Sequence, residues 1–151
     1  MSWDAYVSHM MKNGSLSKAA IVGANDGAPW AVSPGFDLSA SRQVKVTQED
    51  LSEKMENVNE RALVLEAVAN GEMKSACGLF INGVKYMILT NNDEQQSLYI
   101  KAKNNLGGCI TKTNQTILIG LFDTNANPTQ NPGNCNKDVE ELATKLRGAN
   151  F

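Results

Sequence analysis

Few residues able to do covalent or acid–base chemistry occur in this chain. Its one histidine is His9, and its three cysteines stand at 77, 109 and 135. A single imidazole argues against a multi-histidine metal centre and leaves one distant base for any thiol nucleophile. Cys77 with His9 is the one thiol pair that can be drawn, and no neighbouring motif supports it. Glu140 and Glu141 are adjacent on a helix-forming stretch, where successive side chains diverge by about 100°, so they do not converge on one substrate atom. No phosphate-cradling glycine loop, His-Glu zinc helix or Cys-x-x-Cys pair is present. The cysteines read as buried structural thiols of a reducing compartment. The chain reads as a binding module rather than an enzyme, with no cofactor.

The chemistry that remains is aromatic. The chain has two Trp and three Tyr residues, and Trp3 and Tyr6 stand at its start, where frayed polar residues are the norm. Three residues apart, they share one helix face. Termini of a domain tend to lie close together. If the first and last helices lie side by side across a sheet, Trp3 and Tyr6 approach Leu146 and Phe151, and Trp30 floors the same groove. Parallel aromatic ridges accept the turns of a polyproline II helix, which is already extended and loses little entropy on binding. Indole N–H and phenol O–H groups also donate to its carbonyls. The same rings would serve equally well to fasten the first helix to the sheet, and spacing alone does not choose between the two roles.

The elements that must position these residues follow from periodicity. Ser2 caps a helix in which Trp3, Tyr6, Val7, Met10 and Met11 form one stripe, stopped by Asn13-Gly14. Strands are expected at 18–24 and 28–33, joined by Asn25-Asp26-Gly27. From Thr47 helix formers dominate, and two helical pieces are expected between 47 and 70, broken near 57–59 and ended by Gly71. Their exposed face is acidic, which usually marks a solvated surface. Five strands follow, at 77–82, 84–90, 97–103, 109–113 and 115–122, the first two meeting at Asn82-Gly83. A final helix is expected with Asn136 as cap, Val139, Leu142, Ala143 and Leu146 as its buried stripe, and Gly148 as terminator. The order implies one α+β domain over residues 1–151: an antiparallel sheet with the terminal helices on one face and further helices on the other.

Composition narrows the partners. The net charge is −2, so no basic field is available for a nucleic acid backbone. Apolar runs are far too short for a membrane span and no signal-peptide pattern opens the chain, so the cytoplasm is the expected location.

The stretch Ser2-Trp3-Asp4-Ala5-Tyr6-Val7 resembles the N-terminal helix of profilins. So do AAIVGANDGAPWA (19–31), GLFINGVKYMIL (78–89), ITKTNQTILIG (110–120) and NKDVEELATKLRGANF (136–151), in the family's order. The resemblance implies a cytoplasmic, cytoskeleton-associated protein that binds monomeric actin on one face and proline-rich segments, such as those of formins, on another. It implies a polyproline cleft of Trp3, Tyr6, Trp30, Lys145, Leu146 and Phe151. Lys145 stands where several animal relatives carry a histidine, and Phe151 lacks a tyrosine hydroxyl. For actin it implies Lys101 and Lys103 with Gly133, Asn136, Lys137, Glu140 and Glu141, where Glu140 replaces a larger aromatic of some relatives. Phosphoinositide binding is expected to be weak, resting on local patches such as Lys101, Lys103, Lys145 and Arg147. The acidic stretch 47–58 resembles an extended segment of some protist profilins, and a helix there bearing Leu51, Met55 and Val58 would either touch actin or pack on its own sheet. The rival reading is a small-molecule-binding or dimerising sensor domain of similar shape.

Overall fold

Central strands with two apolar faces decide the architecture. In the computed structural model, which describes residues 2–73, 78–127 and 129–151, α1 (Trp3–Met11) leads to β1 (Lys18–Gly23) and β2 (Pro29–Val32). Next come β3 (Arg42–Thr47), β4 (Glu53–Val58) and α2 (Glu60–Asn70). The second half runs β5 (Leu79–Ile81), β6 (Val84–Asn92), β7 (Ser97–Ala102), β8 (Leu106–Lys112), β9 (Thr116–Asp123) and α3 (Pro132–Gly148). Seven strands form one antiparallel sheet in the order β2-β1-β9-β8-β7-β6-β5. In β1 and β9 nearly every side chain is buried, which explains their unbroken apolar runs. On one face Ala19, Ile21, Leu118 and Phe122 meet Val7 and Met10 of α1 and Val139, Leu142, Ala143 and Leu146 of α3. On the other, Ala20, Ile100, Ile110, Ile117 and Ile119 meet Leu63, Val64 and Ala67 of α2.

The β5–β6 turn is Asn82-Gly83, with φ of 54° and 80°, the positive pair that a type I′ hairpin turn requires. The expected strand at 77–82 begins partly outside the described residues, which exclude Cys77. Alternation in β7 is as expected: Leu98, Ile100 and Ala102 are buried while Lys101 is exposed.

The expected helix over 47–58 is instead half of a β-hairpin. β3 and β4 form their own two-stranded sheet, registered from Arg42↔Val58 to Thr47↔Glu53. The helix formers Glu53, Lys54 and Met55 are overridden because alternating Val44 and Val46 need a partner strand, and Val58 closes the same apolar face onto the core. Thr47 and Asp50 are therefore not a helix cap. Asp50 Oδ1 accepts from the Ser52 N–H at 2.9 Å to shape the turn, and Leu51 sits there at φ 69°. So the face opposite the terminal helices carries one helix and a hairpin rather than several helices. α2 starts at its N-cap Asn59 and ends at Gly71, as the sequence implied. α3 begins earlier than expected: Asn131, not Asn136, is the cap, accepting from the Asn134 N–H at 2.9 Å.

Glu60 is not part of the solvated acidic face. It is fully buried and joins three segments. Its Oε1 accepts from the Ser39 N–H and Arg42 Nε, both at 3.0 Å, and its Oε2 accepts from the Gly83 N–H at 2.7 Å. A buried carboxylate is tolerable only when so fully paired.

Candidate functional site

Four rings from three distant parts of the chain meet between α1 and the end of α3. Trp3 is their hub. Its ring centroid lies 5.5 Å from Tyr6, 5.0 Å from Trp30 and 5.5 Å from Phe151, with tilted or edge-on planes. These are favourable aromatic geometries. Trp30 and Phe151 remain 42% and 38% exposed, so the cluster is anchored yet open.

Backbone devices aim each ring. The Ser2 hydroxyl caps α1 by accepting from the Ala5 N–H at 3.2 Å, which starts the helix at Trp3. Trp30 lies against Gly23 of the neighbouring strand: a Cβ there would stand 3.1 Å from Trp30 Nε1 and 2.9 Å from Asp26 Oδ1. Glycine thus clears the space for the indole. Phe151 is placed by the end of α3, where Asn150 takes φ 68°. The Phe151 N–H donates to Leu146 O at 2.8 Å and the Asn150 N–H to Arg147 O at 3.1 Å, the paired bonds of a Schellman motif. Asn150, not Gly148, is the left-handed terminator. The Phe151 carbonyl accepts in turn from Thr113 Oγ1 at 2.9 Å and from the Gln115 N–H. Leu146 is fully buried, supporting the rings from beneath without presenting surface. Lys145 is exposed on the last turn of α3.

A second surface lies across α3 on the same side of the sheet. Tyr99 packs toward α3, and Lys101, two residues along β7, shares its face. Lys101 and Lys103 are exposed and, among the described residues, form no ion pair. Opposite Lys101 in register is Met87, 63% exposed, and Leu89 nearby is 59% exposed. The sequence reading missed both, although alternation with the buried Tyr86 and half-buried Ile88 in VKYMILT contained the signal.

Gly133, Lys137 and Glu141 are exposed on the first turns of α3, and Asn136 is half-buried. Glu140 is turned inward: its Oε2 accepts from Ser97 Oγ at 2.7 Å and Tyr99 OH at 2.9 Å. Ser97 Oγ also shares a 2.8 Å bond with Thr111 Oγ1. Burial first, then this carboxylate, pushes the Tyr99 phenol pKa up against the opposing pull of the Asn92 amide. Glu140 therefore braces α3 against β7 through its Oε2.

Among the described residues, the thiols are inert. Cys109 and Cys135 are free and buried, and burial pushes the Cys109 thiol up to about 12 and Cys135 higher still. A thiol so protonated is a poor nucleophile. The pKa of His9 is lowered, by burial first and then by Lys12 and Lys145. Among the described residues no cluster of three or more His, Cys, Asp or Glu could hold a metal ion, and no helix is long and apolar enough to cross a membrane.

The family model described as Profilin matches residues 1–151. The chain belongs to the profilin family. It is 34% identical to the profilin of Tetrahymena pyriformis over 99% of this chain and 98% of that protein. Profilin IA of Acanthamoeba castellanii superimposes with a TM-score of 0.73 at 29% identity, covering 99% of this chain and 100% of its own. Mouse profilin IIa in complex with a double repeat from the FH1 domain of mDia1 shares the fold, with a TM-score of 0.70 at 17% identity over the whole of both chains. Profilins are non-enzymatic proteins that bind actin and polyproline, so the chain is an actin-regulating binding protein and not an enzyme. Phosphoinositide binding is a further known property of the family.

Proposed function

We propose that residues 1–151 act as one profilin unit that holds a proline-rich segment in the Trp3–Tyr6–Trp30–Phe151 cleft and monomeric actin on the Lys101–Met87 face. The observation that carries the first half is the Trp3 hub, within 5.5 Å of three other rings, two of which keep more than a third of their surface open. Rings held in place by their neighbours lose no freedom on binding, which suits a pre-extended ligand. Lys145 borders this cleft and Leu146 is its support. The actin half is supported by exposed lysines beside exposed methionine and leucine, a mix of steering charge and burial-ready surface. Gly133, Asn136, Lys137 and Glu141 extend that surface along α3, with Glu140 as a brace. The site of action is the cytoplasmic actin cytoskeleton, where proline-rich regions of formin type deliver the protein to growing filaments. Any phosphoinositide contact is weak, since the net charge is −2.

Retention on polyproline resin followed by co-elution of added actin tests both halves at once. Retention together with actin co-elution is expected. Failure to bind the resin removes the cleft assignment, and retention without actin removes the other.

A further inference from the structure

Two exposed apolar patches of opposite charge lie outside the aromatic cleft. The first is Met87 with Leu89. Lys85 shares the Met87 side of β6, and Lys85, Lys101 and Lys103 are exposed and form no ion pair among the described residues. The second is Leu51 with Met55 on the β3–β4 hairpin, and Leu51 is 82% exposed. The Leu51 N–H donates to Gln48 O at 3.0 Å and the Gln48 N–H to Ser52 O at 2.8 Å. The loop thus closes with Leu51 left-handed, at φ 69°, a position that suits glycine and strains a larger residue. Leucine gains no packing there to offset that strain. Glu49 and Asp50 beside it are exposed and form no ion pair among the described residues, and no basic residue occurs between 47 and 53. The two patches face opposite ways. Val44 and Val58 seat the hairpin on the α2 side of the sheet. Met87 alternates with Tyr86 of that side and is in register with Lys101, so it faces the α3 side.

We propose that the hairpin tip docks on the Met87–Lys101 face of a second copy of this chain. Charge complementarity selects that occupant. Glu49 and Asp50 flank Leu51, and Lys85, Lys101 and Lys103 flank Met87, so apolar centre meets apolar centre and acid meets base. A leucine that is strained and solvated in the free chain is covered in the contact, together with Met87. Because tip and face point away from each other, the contact is heterologous. A copy that uses its tip leaves its own face open, and association runs head to tail without closing. A tip of a few residues covers far less than the about 1,200 Å² of a stable interface, so the association is weak and falls as salt rises. It follows from the free chain and does not depend on the actin reading above, although a second copy and actin would use the same face.

Sedimentation equilibrium over a concentration series reaching about 1 mM tests this. At low salt the average mass of the native chain is expected to rise steadily above the monomer, and to return toward it at about 0.5 M salt. Leu51→Gly removes the tip side chain at a backbone angle glycine prefers, so the fold is kept. It is expected to weaken association at least about tenfold, and Lys101→Glu with Lys103→Glu should do the same from the other half. The deciding sample is an equimolar mixture of these two variants. One keeps an intact tip and the other an intact face, so a 1:1 dimer is expected with nothing larger. A native chain that stays monomeric throughout overturns the proposal. So does association that survives Leu51→Gly, or a mixture no heavier than its separate components. Loss of actin affinity in Leu51→Gly with an unchanged mass series assigns the tip to actin and overturns the proposal as well.

Discussion

α3 separates two surfaces built on opposite terms. On the α1 side, four rings pack against one another above a floor that includes buried Leu146 and Val7. On the β7 side, Lys101 and Lys103 stand free beside Met87 and Leu89, and the nearby carboxylate of Glu140 is tied into the protein by Ser97 and Tyr99. The first surface is finished before a ligand arrives. The second offers charge beside exposed methionine and leucine. Binding at the cleft should thus depend on ring geometry and little on salt, whereas binding at the β7 face should depend on charge and fall as salt rises.

The largest expected effect is at the hub. Trp3→Ala removes the ring on which the other three lean, and polyproline affinity is expected to fall at least about hundredfold, or ~3 kcal/mol, while actin affinity holds. Calorimetric titration of both ligands checks this, and loss of both together would mean unfolding, not two separate surfaces. Next comes the charge reversal Lys101→Glu with Lys103→Glu, expected to weaken actin binding by about tenfold or more at low salt. Its polyproline affinity should equal the native value in the same titration series, and an unchanged actin affinity would take the β7 face out of the contact. Gly23→Ala probes the cleft without deleting a ring. The new Cβ at 2.9 Å from Asp26 Oδ1 makes that carboxylate shift, and at 3.1 Å from Trp30 Nε1 it pushes the indole aside slightly, so a loss of polyproline affinity of about a few-fold is expected. Native-like affinity would show that the Trp30 position is not set by this contact. The smallest effect is Tyr99→Phe, which removes the hydrogen bond donated to Glu140 and the one accepted from Asn92 and should cost about 1–2 kcal/mol in urea unfolding. A drop in actin affinity far beyond that loss would return Glu140 and Tyr99 to the contact surface.

Much of this was legible in residue order. Strand pairs such as LFI and VKYMILT around Asn82-Gly83, and helices with one apolar stripe such as α3, announce themselves because a local period dictates which face is buried. The hairpin at 42–58 did not, since EKMENV has the composition of a helix and only the valines of β3, which face Glu56 and Lys54 from an upstream strand, make it a strand. Glu60 was equally hidden. Nothing within its own helix distinguishes it from an exposed acid, and its partners Ser39, Arg42 and Gly83 come from separate segments. Glu140 looked like surface for the same reason.

By itself the sequence determined the element types over most of the chain, the absence of machinery for covalent catalysis, and the rings available for binding, because composition and period are local quantities. Only the tertiary structure decided that Trp3, Tyr6, Trp30 and Phe151 share one cleft, that Leu146 lies under it, and that Glu60 and Glu140 face inward. Those outcomes depend on which distant backbone comes within about 3 Å of a side chain, and a hydrogen bond or a clash at that range is decided by the fold, not by neighbours in sequence.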